Sequence, residues 1–362
     1  MNKVLILGPD LRQPGGVAAI YKTLQLEKTE GINYFAVNRP RPQSGIGTLL
    51  RLIGKYWKFI VEVRRGHYKL IHINPSLQRK SFYRDAGFII IARLLKRKTL
   101  VFFHGWRDVY EKKIVASKLK SYLFRISYAK VDKFIVLSKI FKEKLIGLGV
   151  PATKEFFIGS SVADSSHLNE LDLNQKFCSY AKQVNFLFLS RIEKEKGIYI
   201  AIDAFALFSK NHPEKKACLV VAGDGSELVL VKEYVKNGNI TGVNFLGNVS
   251  GEAKKKVLFE SHVMIFPSYT EGLPNCILEG MLYGMPIISR MTGGIPDVIE
   301  QGVNGYLSES LRPEVFADFL FFLASDKNLY ETISLNNHNI AVKKYTTEKV
   351  REHILKIYEE VN

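Results

Sequence analysis

Two carboxylates in the second half of the chain, Glu271 and Glu279, are spaced so that both could bind one small molecule. They lie in the segment Tyr269–Glu279, which follows an apolar run, VMIFP, that predicts a buried strand. Asn275 is suited to cap the helix predicted next, and Gly272 would let the backbone come close to a ligand. The N-terminus of such a helix offers free N–H groups to a phosphate. Because carboxylates accept hydrogen bonds from neighbouring hydroxyls, the pair is suited to hold a ribose or a hexose.

A second segment, Ser190–Gly197, supplies cations after the predicted strand NFLFLS. Arg191 and Lys196 stand between a strand end and a helix start, where they could neutralise charge on a departing pyrophosphate. No Asp-x-Asp occurs in the chain, which argues against a metal ion as the diphosphate ligand. We therefore expect Arg191 and Lys196 to take that role, with no metal and no resident cofactor.

Three further turns follow apolar runs and precede helical patterns. They contain Gly15 and Gly16, His104, and the sequence Gly223, Asp224 and Gly225. Each feature is weak alone, because glycine turns are common and a single histidine at a strand end often has a structural role. All of them fall at carboxyl ends of predicted strands, where open α/β sheets bind ligands. Together they indicate one site.

The elements that would position these residues alternate along the whole chain. Apolar runs from Val4–Leu7 to Ile287–Ser289 alternate with helical patterns, which predicts βαβ units and doubly wound parallel sheets of the α/β class. A polar stretch over 159–183 interrupts the pattern and indicates a domain boundary. We expect domains over 1–160 and 161–345. The helix predicted in 346–362 either caps the second domain or crosses back to the first.

Charge is distributed unevenly over the 362 residues, which carry a net +17. Residues 1–160 hold 31 basic and 10 acidic side chains, a net +21, and the remainder is near neutral. The first domain therefore favours an anionic partner. An amphipathic helical pattern over 45–65 could lie on an anionic membrane surface, or could cover a sheet face with its lysines solvated. With three scattered cysteines and no apolar run long enough to span a bilayer, we expect a cytoplasmic protein, peripheral on the inner face of the membrane.

The order of these motifs resembles the retaining GT-B glycosyltransferases of the family-4 type (glycosyl transferases group 1). The matching motifs are Gly-Gly-Val at 15–17, Ser-Arg-x4-Lys-Gly at 190–197, Ala-Gly-Asp-Gly at 222–225, Phe-Leu-Gly-x-Val at 245–249 and Pro-Ser-x-x-Glu-Gly-Leu-Pro-Asn-x-x-Leu-Glu at 267–279. Gly-x-Pro-Ile-Ile-Ser at 284–289 and Thr-Gly-Gly-Ile-Pro-Asp at 292–297 follow, as in that family. The resemblance is specific over 184–310. Over 1–160 it rests on strand order, Gly15-Gly16 and His104.

The resemblance implies two Rossmann-like domains, the first binding an acceptor and the second a nucleotide sugar. Arg191 and Lys196 would bind the pyrophosphate, Glu279 the ribose and Glu271 the transferred sugar. His104 would lie beside the donor sugar. The backbone groups implied are those of Gly16, which would approach the phosphates beside Gly15, and of Gly272, Leu273, Pro274 and Asn275, which would support the sugar and phosphate. The base would lie between the Gly223–Gly225 turn and the segment that includes Asn248 and Val249.

The acceptor that fits a basic first domain is a glycan, and a lipid-linked oligosaccharide on the inner membrane face would explain its charge. This predicts a hexosyltransferase of surface polysaccharide biosynthesis, such as capsule or lipopolysaccharide. One alternative is a nucleotide-sugar epimerase on the same fold, with Glu271 and His104 as its acid and base. Another is a basic nucleic-acid-binding protein, but no helix-turn-helix, zinc-finger or RNA-recognition pattern is present.

Overall fold

The chain divides into two compact units. Unit 1 comprises Met1–Ser161 and Glu348–Asn362, and unit 2 comprises Val162–Thr347. The structure is a computed structural model, and it describes residues 3–13, 15–37, 46–75 and 77–361. Gly45, where the predicted amphipathic helix begins, lies outside the described residues.

Unit 1 contains a sheet of six parallel strands in the order β2-β1-β3-β4-β5-β6. The central strands β1 and β3 are buried along their whole length, as expected for a parallel sheet covered on both faces. The strands are β1 (Val4–Gly8), β2 (Ile32–Ala36), β3 (Leu70–Ile73), β4 (Lys98–Phe103), β5 (Lys133–Val136) and β6 (Glu155–Ile158). The strand order reverses between β1 and β3, which opens a crevice at their carboxyl ends.

The helices of unit 1 connect these strands. They are α1 (Gly16–Leu24), α2 (Ile46–Gly66), α3 (Arg79–Leu94), α4 (Asp108–Val115), α5 (Lys118–Ile126) and α6 (Lys139–Gly147). Helix α2 covers the predicted amphipathic segment, and its Phe59 and Val63 are fully buried.

The C-terminal helix α14 (Thr347–Val361) packs on unit 1. Its apolar face is buried, and the hydroxyl of Tyr358 lies 2.6 Å from Nδ1 of His72 on β3. Arg351 donates a further hydrogen bond to Thr29. Of the two positions left open by the sequence, the helix takes the one on the first unit.

Unit 2 repeats the architecture, with six parallel strands in the order β12-β11-β10-β7-β8-β9. The strands are β7 (Val184–Leu189), β8 (Ala217–Ala222), β9 (Val243–Gly247), β10 (Val263–Phe266), β11 (Ile287–Arg290) and β12 (Gly305–Ser308). The order reverses between β7 and β10, and the carboxyl ends of these two strands carry the Ser190–Gly197 and Tyr269–Glu279 segments.

The helices of unit 2 lie on both sides of this sheet. They are α7 (Leu173–Tyr180), α8 (Ile198–Asn211), α9 (Leu228–Asn237), α10 (Gly251–Glu260), α11 (Asn275–Leu282), α12 (Pro313–Ser325) and α13 (Lys327–Lys344). The predicted α/β class with two doubly wound parallel sheets is confirmed. Among the described residues, no helix is both long and apolar enough to cross a membrane.

Candidate active site

The crevice between β7 and β10 holds a partly buried ion pair. Nζ of Lys196 lies 2.6 Å from Oε1 of Glu271, and the hydroxyl of Ser268 donates to the same oxygen at 2.7 Å. The side chains of Lys196 and Glu271 are only 16% and 10% exposed. The structure therefore joins a cation and a carboxylate that the sequence placed in separate motifs.

Close packing of three neighbouring loops holds this pair in place. Gly197 has φ 79°, and a Cβ at this position would lie 2.1 Å from the carbonyl oxygen of Pro267. Gly293, with φ 57°, approaches the carbonyl of Glu271 in the same way. Only glycine tolerates both the left-handed backbone and the contact. Gly197 lets the Lys196 loop approach the chain just after β10, and Gly293 lets the loop after β11 approach the Glu271 loop.

Helix α11 begins directly after the Glu271 loop and corrects one expectation. The capping position is occupied by Pro274, and Asn275 is the first helical residue rather than the cap. Pro274 has the extended backbone of a capping position and contributes no N–H to it. Because the first N–H groups of a helix have no acceptor within it, the first turn of α11 can present such groups to an anion. Leu273 is buried, so only its backbone can contact a ligand.

Glu279, a buried residue of α11, forms a second ion pair, with a lysine whose side chain is 32% exposed. Nζ of Lys254, on α10, lies 2.6 Å from both carboxylate oxygens of Glu279. Burial raises the pKa of Glu279, and the Lys254 ammonium opposes that rise. The thiol of Cys276 interacts with both pairs, and burial together with Glu271 and Glu279 raises its pKa to about 12. Two carboxylates and two ammonium groups thus surround one turn of α11.

Arg191 belongs to neither of these two ion pairs. Its side chain is 69% exposed, and its guanidinium donates to Glu193 at 2.6 Å in the same loop. Arg191 and Lys196, which were expected to bind the pyrophosphate together, therefore lie in different surroundings. Lys196 is fixed in the crevice, whereas Arg191 stands at the surface of the loop.

The Gly223–Gly225 turn packs directly against the Arg191 loop. A Cβ at Gly223 would lie 1.8 Å from the carbonyl oxygen of Ser190, and one at Gly225 would lie 2.4 Å from that of Ile192. Asp224 is exposed, and its carboxylate accepts a hydrogen bond from the N–H of Gly225. These two glycines are required by loop packing, whatever ligand binds beside them.

The turn after β9 lies next to the same glycines. The N–H of Gly223 donates to the carbonyl of Gly247 at 2.7 Å. The segment of Asn248 and Val249 follows at once, with Asn248 exposed and Val249 half-buried. The structure therefore brings together the two segments between which a nucleotide base was expected.

In unit 1, Gly15 and Gly16 lie at the start of α1, after the carboxyl end of β1. Gly15 has φ 153°, a conformation that favours glycine, and both residues are exposed. A Cβ on either glycine would meet no described atom within 4 Å. This surface is open to a ligand.

His104 follows β4 and belongs to a polar network at the carboxyl edge of the same sheet. Nε2 of His104 lies 2.7 Å from Oδ1 of Asn74, which also accepts from the hydroxyl of Tyr21. The Asn74 amide nitrogen donates to the carbonyl of Leu7, so its oxygen must be the acceptor. His104 therefore carries its proton on Nε2.

The consequence is a free acceptor on the other side of the His104 ring. Burial, with a contribution from His72, lowers the pKa of His104 to about 3, so the ring is neutral. Nδ1 then bears a lone pair, and it is buried with no partner among the described residues. His104 can accept a hydrogen bond from a ligand hydroxyl but is too weak a base to remove a proton near neutral pH.

Lys254, Ser268, Asn74 and Tyr21 were not identified from the sequence. Lys254 is the first of three consecutive lysines, a pattern typical of a solvated helix face. Within the described ranges, no three His, Cys, Asp or Glu side chains are grouped in a way that could hold a metal ion.

Comparison with known proteins identifies the family. Residues 171–339 match the family model described as "Glycosyl transferases group 1". An amylovoran biosynthesis glycosyltransferase, AmsK, of Erwinia amylovora is 26% identical over 242 residues, which span 64% of this chain and 56% of that protein. A 2-deoxystreptamine N-acetyl-D-glucosaminyltransferase of Niallia circulans is 26% identical over 364 residues, spanning 95% of this chain and 90% of that protein.

Solved structures share the fold over nearly the whole chain. The structure of Anabaena Alr3699/HepE in complex with UDP has a TM-score of 0.76 at 17% identity and covers 99% of this chain and 100% of that one. The same protein has also been solved with UDP-glucose, with a TM-score of 0.74. The resemblance seen in the sequence is thereby confirmed. Residues 171–339 belong to the group 1 glycosyltransferases, and the chain has the GT-B fold.

Proposed function

We propose that this glycosyltransferase moves a hexose from a UDP- or GDP-linked sugar to a hydroxyl of a glycan acceptor, with retention of anomeric configuration. The observation that carries the proposal is the Lys196–Glu271 pair, with 2.6 Å between Nζ and Oε1. In a nucleotide sugar the charged diphosphate and the sugar hydroxyls are direct neighbours. A cation and a carboxylate this close together, in front of a helix N-terminus, can therefore bind the diphosphate and the sugar hydroxyls of one donor molecule.

Each part of the donor has a counterpart in unit 2. Lys196 and the first N–H groups of α11 would bind the diphosphate, with Arg191 reaching it from the loop surface. Glu271 would accept hydrogen bonds from the sugar hydroxyls and Glu279 from the ribose. The base would occupy the space beside the Gly223 turn and Asn248. The complexes of Alr3699/HepE with UDP and UDP-glucose support a nucleotide-sugar donor.

Retention is proposed to occur by transfer on one face of the sugar. The bond between the anomeric carbon and the phosphate oxygen breaks, and the bond to the acceptor oxygen forms on the same face. The acceptor proton passes to the departing phosphate oxygen. The protein stabilises the negative charge on that oxygen through Lys196 and the α11 N-terminus, and it holds the two substrates together. No metal ion and no resident cofactor enters this proposal.

His104 is proposed to position a hydroxyl of the donor sugar. Its unprotonated Nδ1 accepts a hydrogen bond, while Nε2 is held by Asn74. Because the pKa of His104 is lowered to about 3, this residue does not suit the acid and base chemistry of an epimerase. The same observation favours transfer over epimerisation.

The acceptor is proposed to be a lipid-linked oligosaccharide, with unit 1 working at the inner face of the cell membrane. The net +21 of residues 1–160 supports attraction to anionic lipid. Such a reaction belongs to surface polysaccharide biosynthesis, and the similarity to an amylovoran biosynthesis glycosyltransferase supports this assignment. Nucleic acid is not a partner in this proposal.

The experiment that tests the donor is a thermal-unfolding screen with a panel of UDP- and GDP-sugars. A ligand that binds only the folded protein raises Tm, by an amount that grows with its concentration over Kd. The sugar that stabilises most is then supplied with an oligosaccharide acceptor, and the anomeric configuration of the product is determined by NMR. An inverted product would refute the proposed mechanism, and epimerised donor without acceptor would refute transfer.

A further inference from the structure

Unit 1 exposes a group of large apolar side chains on three of its helices. We call these residues, with the cations between them, the apolar–basic face. Its apolar members are 55–74% exposed: Leu50, Ile53 and Trp57 on α2, Val109 and Val115 on α4, and Leu119 and Tyr122 on α5. Single exposed apolar side chains are common on protein surfaces, but a group of this size indicates a binding surface.

The exposed stripe on α2 is separate from the face that packs on the protein. Phe59 and Val63 are fully buried, and the Tyr56 ring lies against Phe88 of α3. Leu50, Ile53 and Trp57 recur at helical spacing on another side, all in the first two-thirds of the helix. Covering the sheet therefore explains only one apolar side of α2.

Helices α4 and α5 show the same division. Tyr110, Ile114 and Phe124 are buried in unit 1, while Val115 and Leu119 point to solvent. Helix α3 packs against both α2 and α5, and α4 packs against α5, so all four helices belong to one layer. The exposed residues therefore lie on helices of unit 1 that are linked by direct packing through α3 and α5.

Cations predominate among the charges on these helices. The cations are Arg51 and Lys58 on α2 and Lys112, Lys113 and Lys118 on α4 and α5, and none of them forms an ion pair with a described residue. The acids of α4 are engaged elsewhere, because Asp108 and Glu111 both pair with Lys144. Glu111 also accepts a hydrogen bond from the indole of Trp106.

We propose that the apolar–basic face docks on a lipid bilayer that contains anionic phospholipid. Apolar side chains enter the boundary between headgroups and acyl chains, and the unpaired cations meet the phosphates. A second copy of the chain fits less well, because it would bring like charges together. Nucleic acid would leave the aliphatic side chains exposed.

This inference rests on the proposed lipid-linked acceptor and adds where the membrane is contacted. Helix α4 begins four residues after His104, and α2 starts at the carboxyl edge of the same sheet. A bilayer on this face would therefore present a lipid-linked acceptor near the edge that carries His104.

The test is flotation of the full chain with phosphatidylcholine vesicles that contain or lack phosphatidylglycerol. The wild type is expected to float only with phosphatidylglycerol, and less at high salt. The variant Lys112→Gln/Lys113→Gln/Lys118→Gln is expected to bind roughly 100-fold more weakly, because each cation near the membrane surface raises the affinity about fivefold. Val115→Glu/Leu119→Glu is expected to lose at least about tenfold.

The matched control places the same charges on exposed leucines of unit 2. Leu311→Glu/Leu335→Glu is expected to float like the wild type, and circular dichroism with Tm verifies that every variant is folded. Equal flotation of all variants would overturn the proposal. The proposal would also be overturned if the wild type formed a dimer that binds no vesicles and if Val115→Glu/Leu119→Glu dissociated that dimer.

Flotation needs no sugar transfer, so it can be separated from the proposed function. A wild type that is stabilised by a nucleotide sugar but binds no vesicles refutes the docking proposal alone. A wild type that binds vesicles but responds to no nucleotide sugar refutes the proposed donor and leaves the docking surface in place.

Discussion

Nζ of Lys196 and Oε1 of Glu271 lie 2.6 Å apart across the crevice between β7 and β10, although 75 positions separate them in the chain. The contact places the expected diphosphate ligand next to the expected sugar ligand. It also means that neither charge is left unpaired when the donor is absent. Substituting each residue in turn can therefore distinguish the role of the cation from that of the carboxylate.

Glu271→Gln is expected to reduce transfer by roughly 1,000-fold, because the amide is a weaker partner for the sugar hydroxyls in the transition state. Nucleotide binding should change little, since Lys196 is still present.

Lys196→Ala should weaken both transfer and nucleotide binding, the latter by roughly 10- to 100-fold, because one charged hydrogen bond to the diphosphate is lost. Steady-state kinetics and calorimetric titration measure the two effects. Lys194→Ala, an exposed lysine in the same loop, is the control, and full turnover by either variant would refute the assignment.

Lys254→Met is expected to destabilise the protein by about 2 kcal/mol, because the carboxylate of Glu279 would remain buried without its cation. The double variant Lys254→Met/Glu279→Gln should recover most of this loss, since both charges are then removed. Urea unfolding gives the free energies. Lys256→Met, on the exposed side of the same helix, should change stability by less than about 0.5 kcal/mol. If the double variant is as unstable as the single one, the pair is not the cause.

Asn74→Leu is expected to release the proton of His104 from Nε2, because the only described acceptor at that nitrogen is lost. The tautomer can be followed by ¹⁵N NMR of the imidazole. If Nδ1 binds the donor sugar, transfer should fall roughly fivefold to tenfold, the value of one neutral hydrogen bond. Tyr358→Phe removes a hydrogen bond to His72 in the same buried region and should leave the His104 tautomer unchanged. An unchanged spectrum in Asn74→Leu would contradict the proposed network.

Acid is expected to destabilise the protein from pH 6.5 downward. Burial lowers the pKa of His72, His104 and His262 to about 3, with His72 contributing at His104 and Lys176 at His262. The unfolded chain therefore binds more protons than the folded one between pH 6.5 and 3, and the free energy of unfolding falls as the pH falls.

The size of this effect is testable at one position. His262→Gln should reduce the pH slope of the unfolding free energy by up to about 1.4 kcal/mol per pH unit, the value for one proton. Urea unfolding between pH 7 and 5 measures the slope. His67→Gln, at an exposed position, is the control. A slope equal to that of the wild type in His262→Gln would show that this histidine is not the source.

Most of the fold followed from local patterns. Apolar runs with β-branched and aromatic residues correctly marked the strands from β1 to β11. Strand β12 was missed, because Gly305–Ser308 is a four-residue edge strand that begins with glycine and alternates between buried and half-buried positions. Such a segment has almost no apolar run to detect. Its place in the sheet depends on pairing with β11.

Local patterns also predicted part of the candidate site. Glu271, Glu279, Lys196 and His104 lie at strand ends or helix starts, which local patterns mark well. Asn74 follows β3 directly but belongs to no recognisable motif, and Lys254 is the first of three consecutive lysines, which are typical of a solvated helix face. The start of α11 was placed one residue too late, because Asn275 was expected to cap the helix and Pro274 occupies the capping position.

The sequence by itself determined the α/β class, the family resemblance and the segments that meet at the carboxyl ends of the strands. These depend on periodicity and on short motifs, which are local properties of the chain. The tertiary structure decided which cation neutralises which carboxylate, which nitrogen of His104 keeps its proton, and that α14 packs on unit 1. Those outcomes depend on distances of a few ångströms between residues far apart in the chain, where Coulomb energies and desolvation change steeply. Only the folded packing sets such distances.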